Sequence, residues 1–143
     1  MKTIKNLLSI ILSLALVSGG VMAAAEEIQT PEVEPIEQEY VHASAISSGI
    51  LIDQNGKSTC SGTVNSRYTT DTINLTIQLQ KYTNGSWSIV KSWSGSGVFH
   101  VTVTKNYYVT SGYDYRVVTI ASLYTSSGSF VERIVQASAT KHY

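Results

Sequence analysis

The 143-residue chain balances ten Lys and Arg against ten Asp and Glu, and its basic residues are dispersed rather than striped, which argues against a nucleic-acid footprint. Its single cysteine, Cys60, can form no internal disulfide, so a folded domain must rest on its hydrophobic core. Cys60 itself reads as a small buried hydrophobe on a strand.

Lys2 and Lys5 precede an apolar stretch from Leu7 to Val17, and Val21-Met22-Ala23-Ala24-Ala25 leads to Glu26. This is the order of charged region, apolar region and small-residue cleavage site in a secretory signal peptide, so residues 1–25 are expected to be removed. A membrane anchor is the competing reading of the same stretch; the triple alanine and Ser9, Ser13 and Ser18 favour cleavage. The mature chain is therefore expected outside the cell, secreted and free of the membrane. Residues 26–42 follow with six carboxylates, Pro31, Pro35 and no Lys or Arg. Such a composition buries too little apolar surface to offset its ordering entropy, which predicts an acidic flexible leader. The remaining residues, 43–143, carry eight Lys and Arg against four Asp and Glu and suffice for one domain with a single core.

This domain is rich in Ser, Thr, Tyr and Val and lacks helical periodicity. Strand A is predicted over 45–53 and strand B over 57–65, joined across Asn55-Gly56, a pair that tolerates positive φ. The loop 66–71 leads to strand C, where Ile73, Leu75, Ile77 and Leu79 alternate with Asn74, Thr76, Gln78 and Gln80 as in a half-buried strand. A second Asn-Gly turn at Asn84-Gly85 starts strand C′ over 87–93, and Ser94-Gly95-Ser96-Gly97 reads as a loop. Strand E is expected from Phe99 to Thr104 with Phe99, Val101 and Val103 inward. Strand F runs from the Gly112 corner through Tyr124, and strand G covers 130–137. Seven strands at this spacing predict an all-β, antiparallel, immunoglobulin-like sandwich.

Gly112-Tyr113-Asp114-Tyr115-Arg116-Val117 resembles the opening of strand F in fibronectin type III modules. The resemblance implies that Tyr113 is a corner tyrosine bonded to upstream backbone, and that Tyr115, Val117, Thr119, Ala121 and Leu123 point inward. The strand B tryptophan of those modules is missing here. The chain as a whole also resembles small secreted proteins of Gram-positive bacteria that join a signal peptide, an acidic leader and one serine- and tyrosine-rich β domain. That likeness implies export and no particular activity.

No constellation for chemistry emerges. Asp53 and Asp71 fall in turns, Asp114 and Glu132 on strands F and G near Arg116 and Arg133, and none is placed to form an acid/base pair. His42, His100 and His142 are scattered, without zinc spacing, and no G-x-S-x-G elbow or phosphate loop occurs. No catalytic, metal or cofactor-binding residue is therefore assigned, and no enzymatic activity is expected. Asn74 and Asn84 open glycosylation sequons, which matter only in a eukaryotic secretory pathway.

The aromatic residues carry more. Trp87 and Trp93 are six apart on strand C′, on one face if the strand is regular, and either pack at the core's edge or form an exposed platform. Strand F should expose Arg116, Val118, Ile120 and Tyr124, and apolar groups on a solvent face call for a covering surface. Trp87, Trp93, Arg116, Val118, Ile120 and Tyr124 together form the candidate binding face, on the C′-C-F-G sheet. The expected function is a non-catalytic module recognising a protein or a surface glycan. Self-association as a structural matrix protein, and a secreted inhibitor acting through the loop 66–71, are the alternatives.

Overall fold

The computed structural model describes residues 39–143; the expected signal peptide and residues 26–38 of the leader lie outside them. Eight strands follow in order: β1 Ala43–Ile52, β2 Lys57–Ser66, β3 Thr72–Thr83, β4 Ser86–Val98, β5 His100–Tyr108, β6 Asp114–Tyr124, β7 Phe130–Ala137 and the short β8 Lys141–His142. One sheet has the order β1-β2-β5, the other β4-β3-β6-β7 with β8 also pairing β6. All ladders are antiparallel. This is the seven-stranded immunoglobulin-like, fibronectin type III-like sandwich that the strand spacing predicts, with A-B-E on one side and C′-C-F-G on the other.

Alternation on the central strands builds the core. Ile73, Leu75, Ile77 and Leu79 of β3 and Tyr115, Val117, Ala121 and Leu123 of β6 are all buried and face Val64, Val101, Val103 and Ile50 of the opposite sheet. Each large apolar side chain so buried contributes about 1.5–3 kcal/mol. Strand β2 offers small inward residues instead, Ser58, Cys60 and Gly62, and the two sheets approach closely there. A Cβ on Gly62 would lie 2.5 Å from both Ile77 Cγ2 and Thr119 Oγ1. Thr119 is buried yet satisfied, since its hydroxyl donates to Ser48 Oγ at 3.0 Å and lies near Ser47 O. Cys60 is fully buried and unpaired, with Ser58 Oγ 3.6 Å from its sulfur, and burial pushes its thiol pKa up.

Three local expectations are corrected. Ser94 to Gly97 is not a loop: these residues continue β4 and pair with Asn74 to Thr76 and Ile73 of β3, because small side chains do not prevent ladder formation. Phe99 lies outside β5 and does not point into the core. It sits between the two sheets with φ at 70° and a side chain 42% exposed, held by its own N–H to Asp71 O and its carbonyl to Ser66 N. One residue thus carries the chain from β4 in one sheet to β5 in the other.

The third correction concerns the corner. Tyr115, not Tyr113, donates its hydroxyl to Thr110 O at 2.7 Å while its ring is 1% exposed. Tyr113 is only partly buried, with Lys81 Nζ 4.4 Å from its ring centroid, and its backbone pairs with Tyr143. The inward position on β6 fits the role because its ring enters the core and its hydroxyl emerges at the crossover. Tyr115→Phe is expected to cost about 1 kcal/mol or more, since Thr110 O loses its partner, and Tyr113→Phe distinctly less. Thermal unfolding of the two variants compares them directly.

Candidate functional site

The outer face of the larger, five-stranded sheet gathers most of the candidate residues. Cross-strand register sets Trp87 opposite Tyr82, Arg116 opposite Gln80, Val118 opposite Gln78, Ile120 opposite Thr76 and Tyr124 opposite Thr72. All these β3 positions are even-numbered and alternate with the inward series Ile73, Leu75, Ile77 and Leu79, so their partners point outward.

Trp93 departs from this set. Register slips between Leu79 and Gln80, which pair with Lys91 and Ile89, so Val90 is an extra residue in β4. A β-bulge inverts the facing of everything beyond it. Trp93, opposite Ile77, packs on the core with its ring edge toward Tyr107 at 6.2 Å, whereas Trp87 stays outside. The two tryptophans therefore do not share a face.

Around Trp87 the outer face is ordered. The Arg116 guanidinium lies over the indole at 4.3 Å from its centroid, and the Tyr82 ring is tilted 57° to it at 5.2 Å. Arg116 Nε donates to Gln80 Oε1 at 2.9 Å, and Gln80 Nε2 donates to Gln78 Oε1 at 3.0 Å. Stacking and a hydrogen bond together fix a side chain that would otherwise sample many rotamers. Beside this row, a shallow concavity of about 390 Å³ opens between β3 and β4, lined by Asn74, Leu75, Thr76, Ser94, Gly95 and Ser96. Val118 differs from its expected exposure. It points outward but is only 7% exposed, flanked across the ladders by Gln78 and Ala137, so a charge placed there is expected to destabilise the domain. Ile120 is half-buried, and Tyr124 packs edge-on against Phe130 at 5.7 Å.

A second polar cluster lies where the chain joins β1. Glu132 accepts from the backbone N–H groups of Val41, His42 and Ala43 at 2.9, 2.7 and 2.7 Å. Asp71, buried, bonds His42 Nδ1 and Ser66 Oγ, each at 2.7 Å, and the His42 ring lies 4.3 Å from that of Tyr68. Burial pushes the Glu132 carboxyl up, but the three N–H donors and the nearby His42 outweigh it and hold the group below the ordinary glutamate range. Val41 and His42, expected in the flexible leader, are therefore fastened to the domain. Neither Glu132 nor Asp114 pairs with an arginine: Asp114 instead bonds His142 Nδ1 at 2.7 Å. No signal in the sequence joins His42 to Asp71 or residues 41–43 to Glu132, because only the folded sheet edge brings them together.

Among the described residues, no three His, Cys, Asp or Glu side chains gather in a metal-binding arrangement. No protein-family model and no curated protein matches the chain. Two crystal structures of wild-type OgpA from Akkermansia muciniphila, in different crystal forms, are similar to it. One has a TM-score of 0.40 and 18% identity and covers 77% of this chain and 30% of OgpA. The other has a TM-score of 0.36 and 16% identity, with 77% and 32% covered. The chain spans about a third of the OgpA chain.

Proposed function

We propose that the mature chain is a secreted, non-catalytic binding module, exported by a Gram-positive cell, that takes a protein or glycan ligand on the outer face of its five-stranded sheet. The observation that carries this reading is the ordered group of Trp87, Tyr82 and Arg116 on that face. Rigid aromatic and arginine side chains supply large contact area at small entropic cost, which is why they dominate binding surfaces. The non-catalytic part rests on what the carboxylates do: Asp53 fastens its own turn, Asp71 and Glu132 fasten residues 41–43, and Asp114 holds His142.

Trp87→Ala tests it. Binding to a glycan array or in pull-downs from the producing organism's envelope is expected to fall at least about tenfold, the loss of a residue worth ~1.4 kcal/mol or more, while melting stays within a few degrees. Unchanged binding would remove the site. One observation favours self-assembly as a second reading: β4 is an edge strand of 13 residues whose sole charge is Lys91, and uncharged edges invite another strand. A monomer at high micromolar concentration in light scattering would count against it.

A further inference from the structure

We propose that the ligand of this face is an acidic glycan, with a uronate carboxylate seated on Arg116. The inference rests on the outer-face reading above and names the chemistry of its ligand.

Residues 43–143 carry eight Lys and Arg and four Asp and Glu. Every one of those four carboxylates is committed elsewhere. Asp53 accepts from the N–H groups of Asn55 and Lys57, Asp71 holds His42 and Ser66, Asp114 holds His142, and Glu132 holds the backbone of residues 41–43. The two ion pairs among the described residues are both His with Asp, so no Lys or Arg there has an anionic partner. Residues 43–143 thus hold a positive surplus of four, open to an anionic ligand as well as to the six carboxylates of residues 26–42 in the same chain.

Arg116 is the member of that set already held in place. Its Nε is committed to Gln80 and its plane to Trp87, but its terminal nitrogens have no acceptor among the described residues. The indole N–H of Trp87 and the hydroxyl of Tyr82 are equally without partners among the described residues. Since no buried side-chain nitrogen or oxygen there lacks a partner, these donors face solvent. Three kinds of donor around one aromatic ring suit an acceptor-rich anion, and a guanidinium fork matches a carboxylate in two parallel bonds. Arg133 of β7, exposed on the same face, pairs with Ser122, which lies six residues along β6 from Arg116, about 20 Å at strand spacing. Two cations at that separation suit a polymer that repeats its charge.

The β3 and β4 side of the face favours a glycan over a polypeptide. Protein interfaces are built on an apolar centre with a polar rim. Between the two arginines lie the nearly buried Val118 and the half-buried Ile120, while the β3 and β4 side of the face carries the Gln80 and Gln78 row and a concavity lined by Asn74, Thr76, Ser94 and Ser96 together with Leu75 and Gly95. Amides and hydroxyls that both donate and accept are the complement of sugar hydroxyls.

The test is calorimetric titration of the full mature chain with polygalacturonate, with neutral dextran and with polyglutamate at matched charge, at low and moderate salt. Polygalacturonate is expected to bind, more weakly at higher salt, with dextran at least tenfold weaker. Arg116→Gln should weaken it tenfold or more, and Arg116→Lys, which keeps the charge but not the fork, at least threefold. Lys105→Gln, on the other sheet, should change it less than twofold. Thermal unfolding confirms that each variant is folded, and the lysine variant serves if the glutamine one is not. Polyglutamate binding as tightly would make the partner an acidic polypeptide and overturn the proposal. So would an equal loss from Lys105→Gln, or no binding of polygalacturonate. Dextran binding that needs Trp87 would overturn the acidic ligand and leave the outer-face reading standing; binding indifferent to Trp87→Ala would remove that reading as well.

Discussion

Glu132→Ala is expected to lower stability by about 3 kcal/mol, because two part-buried backbone N–H groups and one exposed one lose their charged acceptor and hydrogen bonds to charged groups are worth about 1.5–3 kcal/mol each. For a domain of this size that is a fall in melting temperature of roughly 12 °C or more. Removing residues 26–38 should by contrast leave melting within a few degrees, since every bond of this fastening comes from residues 41–43 and their partners. The same carboxylate predicts an acid response. Its folded pKa is depressed, so its contribution is complete above the unfolded value of about 4.3 and is lost as pH falls from there through the folded value. Melting followed from pH 6 to pH 2 should show the wild type losing ground to Glu132→Ala until the two differ little. A constant gap across that range would place the stabilisation somewhere other than the ionised carboxylate.

Gly62→Val should cost about 3 kcal/mol, and Gly62→Ala about 1–2 kcal/mol, as overpacking does. Elsewhere in a strand the change from glycine to alanine gains about 0.5–1 kcal/mol of lost chain entropy. At Gly62 the sign reverses because a Cβ meets Ile77 and Thr119 at 2.5 Å, and both neighbours are β-branched and stiff at χ1. Gly49→Ala is the control. Its Cβ would meet only the Ser61 hydroxyl, at 2.8 Å, and a serine can turn away. Denaturant unfolding of the two alanine variants should separate them by more than about 1 kcal/mol. Equal stabilities would mean that the sheets are not as close at this level as the structure has them.

What the amino-acid order makes legible is whatever depends on local pattern. The alternation from Ile73 to Gln80 specifies a strand and its inner face together, and Asn84-Gly85 turns at positive φ at both residues, so the hairpin follows without knowledge of the rest. What it hides depends on a single inserted residue or on distant pairing. Nothing in Ser88-Ile89-Val90-Lys91 marks Val90 as the bulge, because the slip exists only relative to β3, and with it goes the expectation that Trp87 and Trp93 share a face. Tyr113 and Tyr115 are equivalent by pattern near a corner; which one reaches Thr110 O is decided by which points into the core. The partnership of His42 with Asp71 spans 29 positions, and a charged leader composition conceals it. For the candidate face, period-2 counting alone sets Arg116, Ile120 and Tyr124 on the outer side, whereas for Trp87 it leaves open the core's edge and an exposed platform. The cover over Val118 was not, because it comes from neighbouring strands.

The lone thiol of Cys60 gives this domain a built-in clock. A reagent that alkylates sulfur can reach it only when the two sheets part, and no other cysteine competes for the label. Where closing outruns the reagent, the labelling rate divided by that of an unstructured thiol is the population of the open form. The energetic differences among variants that leave Cys60 in place can then be timed in dilute buffer on the native protein, without denaturant or heat.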